Sequence, residues 1–490
     1  MTTVSLPSSS TRVRPRSRPL ARSGRLPPSW RYEGADAPNP SPKGLGNLWT
    51  HARRLFWSWW PWAILAILAV GDAQWFWAAV FGLMALISHL ITPAAEPPRY
   101  GLDHKFAVDS SEFASTMSGA SGNFFLPGNR LDLLNNGDAF YPAMLDAIKN
   151  ARCSITVEAY IYWAGSIGLE FAAALAAQAS AGRPVKLLLD AIGSSSIGTE
   201  ILEVLEKGGC QIAWYNPIRW YSIARFNNRT HRKSLIIDGE IAFTGGAGIA
   251  DHWRGDARNP SEWRDLQVRI EGPAVVPLQT GFAHNWQQTT GELLSGTCYY
   301  PLVEPAGGLA IQTLMSSPET GASSVRTVYY LAIACARKSI DIANPYFVPD
   351  PVATEMLIDA QKRGVRLRIM VSGIRNDAWL ARQNSVRLFG PLLAAGIEIQ
   401  EFNRTMLHQK TMVVDERWVT VGTANFDNRS FAHNEESNIC CLDADLAEQL
   451  RQSFEEDLSG CDRLTLERWQ ARGPWARCQE FVAAFLQEQA

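Results

Sequence analysis

The chain has 490 residues, 46% of them hydrophobic and 19% charged, with a formal net charge of -2. That length exceeds one ordinary core and calls for two or more domains. Ten of the 46 Lys and Arg fall in residues 1–54 against Glu33 and Asp36 alone, leaving a body with 36 basic and 46 acidic residues, and a body that acidic argues against a nucleic-acid partner.

Residues 1–46 are rich in Ser, Pro and Arg and lack apolar periodicity, so they read as a disordered basic tail. The first apolar run starts too late for a cleaved signal peptide. Two apolar runs follow, Leu55–Val70 and Trp75–Ile91, separated by Gly71, Asp72, Ala73 and Gln74. A single helix over both would be roughly 55 Å long, against a hydrocarbon layer of roughly 30 Å. The expectation for residues 47–96 is therefore a transmembrane helical hairpin. Trp57, Trp59, Trp60 and Trp62 would lie at one interface and Trp75 and Trp77 at the other. A basic tail ahead of an even number of crossings places the N-terminus and the large body on the cytoplasmic side of the cell membrane.

The eight cysteines form no C-x-x-C pair and no metal-ligand spacing. They read as reduced, mostly buried thiols of a cytosolic compartment.

From about residue 120 the sequence repeats itself. Ala151-Arg-Cys-Ser-Ile-Thr-Val answers Ala336-Arg-Lys-Ser-Ile-Asp-Ile, and Gly182-Arg-Pro-Val-Lys-Leu-Leu-Leu answers Gly364-Val-Arg-Leu-Arg-Ile-Met-Val. β-like runs alternate with Ala- and Leu-rich helical segments in each half. That predicts an α/β unit with a buried sheet, present twice, over residues 97–295 and 296–490.

The repeat culminates in two matching segments. His231-Arg-Lys233-Ser-Leu-Ile-Ile-Asp238 leads to Gly245-Gly-Ala-Gly248, and His408-Gln-Lys410-Thr-Met-Val-Val-Asp415 leads to Gly422-Thr-Ala-Asn425. On a strand, residues i and i+2 share a face, so His and Lys project together while the apolar residues after them enter the core. Asp238-Gly239 reads as a hairpin turn, and the Gly-rich stretch lets backbone approach a phosphate closely. Two lysines would offset charge building at phosphorus. One neutral imidazole could attack it while a second, protonated one serves the leaving oxygen.

These segments resemble the phospholipase D superfamily, whose signature is H-x-K-x4-D followed by G-[ST]-x-N. The resemblance covers roughly residues 120–470. It extends to Tyr160, Asn344-Pro-Tyr-Phe-Val-Pro-Asp350, Phe426-Asp-Asn-Arg-Ser430 and Asn434-Glu-Glu436, and is greatest toward the bacterial cardiolipin synthases. It implies two tandem phospholipase D-like α-β-α domains in a pseudo-twofold pair. The implied reaction transfers a phosphatidyl group between two molecules of phosphatidylglycerol, an anionic phospholipid, through a phosphohistidine. Hydrolysis by the same site, or a non-catalytic membrane scaffold, are the alternatives. The catalytic motif residues would be His231, Lys233, Asp238, His408, Lys410 and Asp415. His231 would be the nucleophile and His408 the general acid, then base; Lys233, Lys410 and Asn425 would hold phosphate. Asp238 and Asp415 read as braces of their hairpins. Glu436, 28 residues past His408, and Asp265, as the candidate partner of His231, would orient the imidazoles. His252 and His433 read as structural. No metal or other cofactor is implied. The pattern departs from the family at Gly248, where the signature has Asn.

Overall fold

The structure is a computed structural model that describes residues 58–71, 74–90, 105–217, 228–318 and 324–485. The basic tail read at 1–46 lies outside the described residues.

The two apolar runs form helices α1 (Trp59–Gly71) and α2 (Trp75–Leu90). The Gln74 N–H donates to the Ala69 carbonyl at 2.8 Å, and Phe81 stacks between Trp62 and Trp77, with ring centroids 6.2 and 5.8 Å away. At 13 and 16 residues they are short of the roughly 20 that a hydrocarbon layer requires. Among the described residues no helix is long and apolar enough to cross a membrane. The helical hairpin is present, but a spanning length is not.

The body is built on one mixed sheet. The first half contributes β1 (Phe125–Asn135), β2 (Ile155–Ala159), β3 (Val185–Asp190), β4 (Gln211–Tyr215), β5 (Arg229–Thr230), β6 (Lys233–Ile237), β7 (Ile241–Gly245) and β8 (Leu266–Glu271). The second contributes β9 (Leu309–Ser316), β10 (Ser339–Ala343), β11 (Arg366–Ser372), β12 (Glu398–Phe402), β13 (Thr411–Val414), β14 (Trp418–Gly422), β15 (Asn434–Leu442) and β16 (Cys461–Leu464). The order is β16-β12-β11-β10-β13-β14-β15-β9-β1-β8-β7-β6-β2-β3-β4, with β5 paired to β15. Read outward from the β9–β1 junction, the two halves repeat one another, so a pseudo-twofold axis passes between these antiparallel strands. Hydrogen bonds join the halves there, as in the Phe125–Gln312 and Leu126–Ile311 pairs.

Side chains alternate across this sheet, and both faces are buried. In β6, Leu235 and Ile237 face a core with Phe140, Phe171 and Leu175, while Ile236 faces the opposite one. In β13, Met412 and Val414 join a core with Tyr329, Leu357 and Phe389, while Val413 shares the core of Ile236. That shared core also holds Leu278 and Phe282 of the first half and Leu446 and Leu450 of the second. It fastens the halves on the face away from their separate helical layers.

The reading of all cysteines as free thiols is corrected at one pair. Cys153 and Cys298, 145 residues apart, form a disulfide, with Cα atoms 5.2 Å apart. It ties the turn ahead of β2 to the segment joining the halves. Cys210, Cys335, Cys440 and Cys441 are free and buried, and Cys478 is exposed.

Candidate active site

Strands β5 and β6 carry the first motif across to the second half. Arg229 and Thr230 pair in parallel with Asn434 and Glu435, and the His231 N–H donates to the Glu435 carbonyl at 2.9 Å. The second motif does the converse. The His408 N–H donates to the Arg264 carbonyl at 2.7 Å, and the Arg264 N–H to the Met406 carbonyl at 2.8 Å. Ion pairs lock both seams: Arg232 with Glu435 at 2.5 Å, and Arg264 with Asp457 at 2.9 Å.

Each backbone seam leads directly into a carboxylate. His231 Nδ1 lies 3.0 Å from both oxygens of Glu436, and His408 Nδ1 lies 2.8 Å from Asp265 Oδ2. The expected assignment of Asp265 to His231 is therefore reversed. Each half orients the imidazole of the other, because each histidine segment docks on the opposite half's strand. With Nδ1 engaged, Nε2 is the nitrogen left for chemistry.

Lys233 Nζ donates to the His231 carbonyl at 2.8 Å, and Lys410 Nζ donates to the His408 carbonyl and lies 3.1 Å from His408 Nδ1. All four motif side chains and both carboxylates are buried. Burial, opposed by Glu436 and aided by Lys233, lowers His231 to about 4. Burial and Lys410, opposed by Asp265, lower His408 to about 3. Lys233 falls to about 7 through burial and the Lys410 charge, and Lys410 to about 8 through burial against the pull of Asp265 and Glu436. Each lysine also acts on the other half's imidazole, so the four groups share one electrostatic neighbourhood. Burial pushes Glu436 up, but His231, Lys233 and Thr423 hold it at about 2. The carboxylates are thus held ionised, while burial weakens the hold of both imidazoles and both ammonium groups on their protons.

Asp238 and Asp415 stand apart from this cluster, five residues along the strand from their lysines. Asp238 accepts the N–H groups of Arg152, Cys153 and Ser154 at 2.7–2.9 Å, and Asp415 those of Arg337, Lys338 and Ser339 at 2.7–3.1 Å. Both adopt positive φ, 56° and 54°, at the tight turn closing each hairpin. They brace their hairpins, as the sequence suggested, and do not reach the His and Lys cluster.

The two Gly-rich turns differ. A Cβ on Gly248 would meet the Ile161 carbonyl oxygen at 2.8 Å and Ile161 Cβ at 2.9 Å. No side chain fits where the family signature has Asn. In the other turn, Asn425 is buried with its Oδ1 unpartnered, and its backbone N–H is held by the Ser430 hydroxyl at 3.1 Å. Asn344 supports that turn from the Asn-Pro-Tyr-Phe segment, accepting the Phe426 N–H at 3.2 Å. Thr423 donates to Glu436 at 2.5 Å, whereas a Cβ at the equivalent Gly246 would strike Asp265. Trp253 Nε1 fills that role instead, donating to Asp265 Oδ2 at 2.8 Å.

Sequence reasoning missed Trp253, Thr423 and Trp263. The rings of Trp253 and Trp263 lie 5.3 and 5.4 Å from His408, and Tyr346 lies 6.3 Å away. Tyr160 lies 5.0 Å from His231 and under the Lys233 ammonium. The one available signal was the invitation of a lone Gly246 opposite Thr423. His252 packs among Trp163, Trp253 and Trp263, and burial lowers both it and His433 to about 4.

A family model described as "Cardiolipin synthase, PLD-like domain" matches residues 144–255 and 330–458. The chain is 31% identical over 369 residues to cardiolipin synthase 2 of Staphylococcus epidermidis, covering 74% of this chain and 75% of that one. It is 33% identical over 350 residues to cardiolipin synthase 1 of Bacillus cereus, covering 69% and 68%. It is 29% identical over 416 residues to the major cardiolipin synthase ClsA of Bacillus subtilis, covering 84% and 86%. The crystal structure of a phosphatidylserine synthase from Haemophilus influenzae shares the fold, with a TM-score of 0.58 and 14% identity over 77% of this chain and 97% of that one.

Proposed function

The chain belongs to the phospholipase D-like cardiolipin synthase family, and from that membership and its site we propose that it makes cardiolipin from two molecules of phosphatidylglycerol. His231 Nε2 attacks the donor's phosphorus. The bond from phosphorus to the headgroup glycerol breaks, and His408 gives its Nε2 proton to the departing oxygen. Free glycerol leaves behind a phosphatidyl-histidine. The headgroup hydroxyl of a second phosphatidylglycerol then gives its proton to His408 and attacks phosphorus, and His231 is released.

Lys233, Lys410 and the Asn425 amide hold the non-bridging oxygens. Glu436 and Asp265 keep the Nε2 atoms aimed inward. A bound phosphodiester anion favours the imidazolium form of His408, the form that gives up the proton. The observation that carries this reading is the reciprocal pairing of His231 with Glu436 and His408 with Asp265.

The membrane is the second part of the proposal. The hairpin exposes Ile67, Leu68, Phe76 and Leu83 on its outside. With its flanking apolar sequence it serves as a membrane anchor that returns the chain to the side of the basic tail. That side is cytoplasmic by the charge of the tail. The Cys153–Cys298 bond favours the oxidising side instead, and thiol labelling of intact cells with an impermeant reagent at exposed Cys478 separates the two.

Purified protein given phosphatidylglycerol in detergent tests the reaction. Cardiolipin and free glycerol in equal amounts are the expected products. Phosphatidic acid as the dominant product would replace transfer with hydrolysis.

A further inference from the structure

The loops that follow β3 and β11 occupy equivalent places about the pseudo-twofold axis. Each β-strand runs between two parallel neighbours, β2 and β4 or β10 and β12. In open α/β sheets, ligands enter beside such strand ends. The loops read Asp190-Ala-Ile192-Gly and Ser372-Gly-Ile374-Arg. Each therefore presents an isoleucine two residues beyond its strand, and both are exposed, Ile192 at 40% and Ile374 at 76%. Trp379, at the start of the following helix, is 50% exposed.

Both loops are fastened to the reacting groups. The Ser194 hydroxyl donates to the Tyr160 carbonyl at 2.9 Å, and the Tyr160 ring lies against His231. The Tyr346 hydroxyl donates to Asp377, and the Tyr346 ring lies against His408. One exposed isoleucine needs no explanation. A matched pair, one on each side of a single site, points to a surface that both loops touch at once.

We propose that Ile192 and Ile374, with Trp379 beside the second, are contact tips that enter the surface of an anionic lipid bilayer and set the mouth of the site against its headgroups. The proposal rests on the reading that the substrate is a phospholipid. A bilayer is the occupant that fits the chemistry. The tips are exposed apolar side chains on two different loops. Tryptophan favours the boundary between headgroup and acyl chain. Arg375, next to Ile374 and exposed, suits a negative surface.

The test uses the full chain and the double substitution Ile192→Ser with Ile374→Ser. Turnover is read as total headgroup glycerol released, so transfer and hydrolysis both count. One substrate is long-chain phosphatidylglycerol in vesicles with phosphatidylcholine, and the other is a short-chain phosphatidylglycerol dispersed as monomers. The expected result is a loss of about tenfold or more on vesicles and a change within about twofold on the monomers, with Ile192→Leu and Ile374→Leu together near the starting activity on both. Equal loss on both substrates, or no loss on vesicles, overturns the proposal. So does a vesicle defect accompanied by dissociation of a dimer in sedimentation, which would make the tips an interface between copies. Phosphatidic acid as the product of the unsubstituted protein sinks the transfer reading and leaves this comparison readable.

Discussion

His231 and Glu436 lie 205 residues apart in sequence and meet at 3.0 Å across the boundary between two halves. The reciprocal contact joins His408 to Asp265. The roles of the two pairs are separable with a phosphatidyl ester whose leaving group, p-nitrophenolate, needs no acid. His408→Ala and Asp265→Asn are expected to release one equivalent of nitrophenolate per site and then stall, because formation of the phosphatidyl-histidine survives while activation of the acceptor does not. His231→Ala and Glu436→Gln are expected to give no burst. A burst in the His231 variant would exchange the two assignments.

An amine with a lowered pKa keeps its charge only below that value. For Lys233 at about 7 and Lys410 at about 8, kcat/KM should therefore fall as pH rises from 7 to 9, far below the range of a free lysine. Burial pushes Asp427 up to about 7, so it gains its negative charge over the same range and moderates the fall. In the double variant Lys233→Arg with Lys410→Arg both guanidinium groups stay protonated, and the alkaline limb should flatten at a lower maximum. A limb unchanged in that variant would assign it to another group.

Asp238 and Asp415 act on stability. Each accepts three backbone N–H groups, and bonds to a charged acceptor are worth about 1.5–3 kcal/mol. Asp415→Asn should lower the urea midpoint by a corresponding amount while the folded fraction keeps its kcat. A loss of kcat in fully folded protein would return Asp415 to the chemistry.

Gly248 is closed to side chains. Gly248→Ala should destabilise by about 1–3 kcal/mol through overpacking against Ile161, seen as a lower denaturation midpoint. Asn425→Ala should leave the midpoint in place and reduce turnover by about tenfold or more, the cost of one lost donor to charge. Gly248→Asn with raised activity would contradict this account.

Cys153 and Cys298 should appear as one linked peptide after alkylation and digestion without reductant, and as two separate alkylated peptides after reduction. Two separate alkylated peptides from unreduced protein would show free thiols.

Local signals in the sequence reached as far as single strands and turns. The spacing of His231 to Lys233 to Asp238 encodes a strand and its turn, and the duplication encodes two such units. Which half lends a carboxylate to which imidazole depends on the docking of β5 on β15, and no spacing along the chain records that pairing. Cys153 and Cys298 were hidden for the same reason, since a bridge over 145 residues leaves no local pattern. Trp253 was missed because its indole replaces a hydroxyl from a different position, so the repeat offered no counterpart to align. The apolar runs revealed two helices, but the ends of those helices depend on capping and turn geometry near Gly71 and Gln74.

The pairing of β1 with β9, shifted in register between Leu126 and Asn129, and the core common to both halves resist a hinge between them. Enzymes that close like jaws can swallow two substrates together and shut out solvent by motion. Here strand hydrogen bonds and a common core would have to rupture for such a movement. A rigid opening of this kind admits its reactants by turns: the first alcohol must depart before the second arrives. The rate law that follows is double displacement, with parallel reciprocal plots as the concentrations of a distinguishable donor and acceptor are varied.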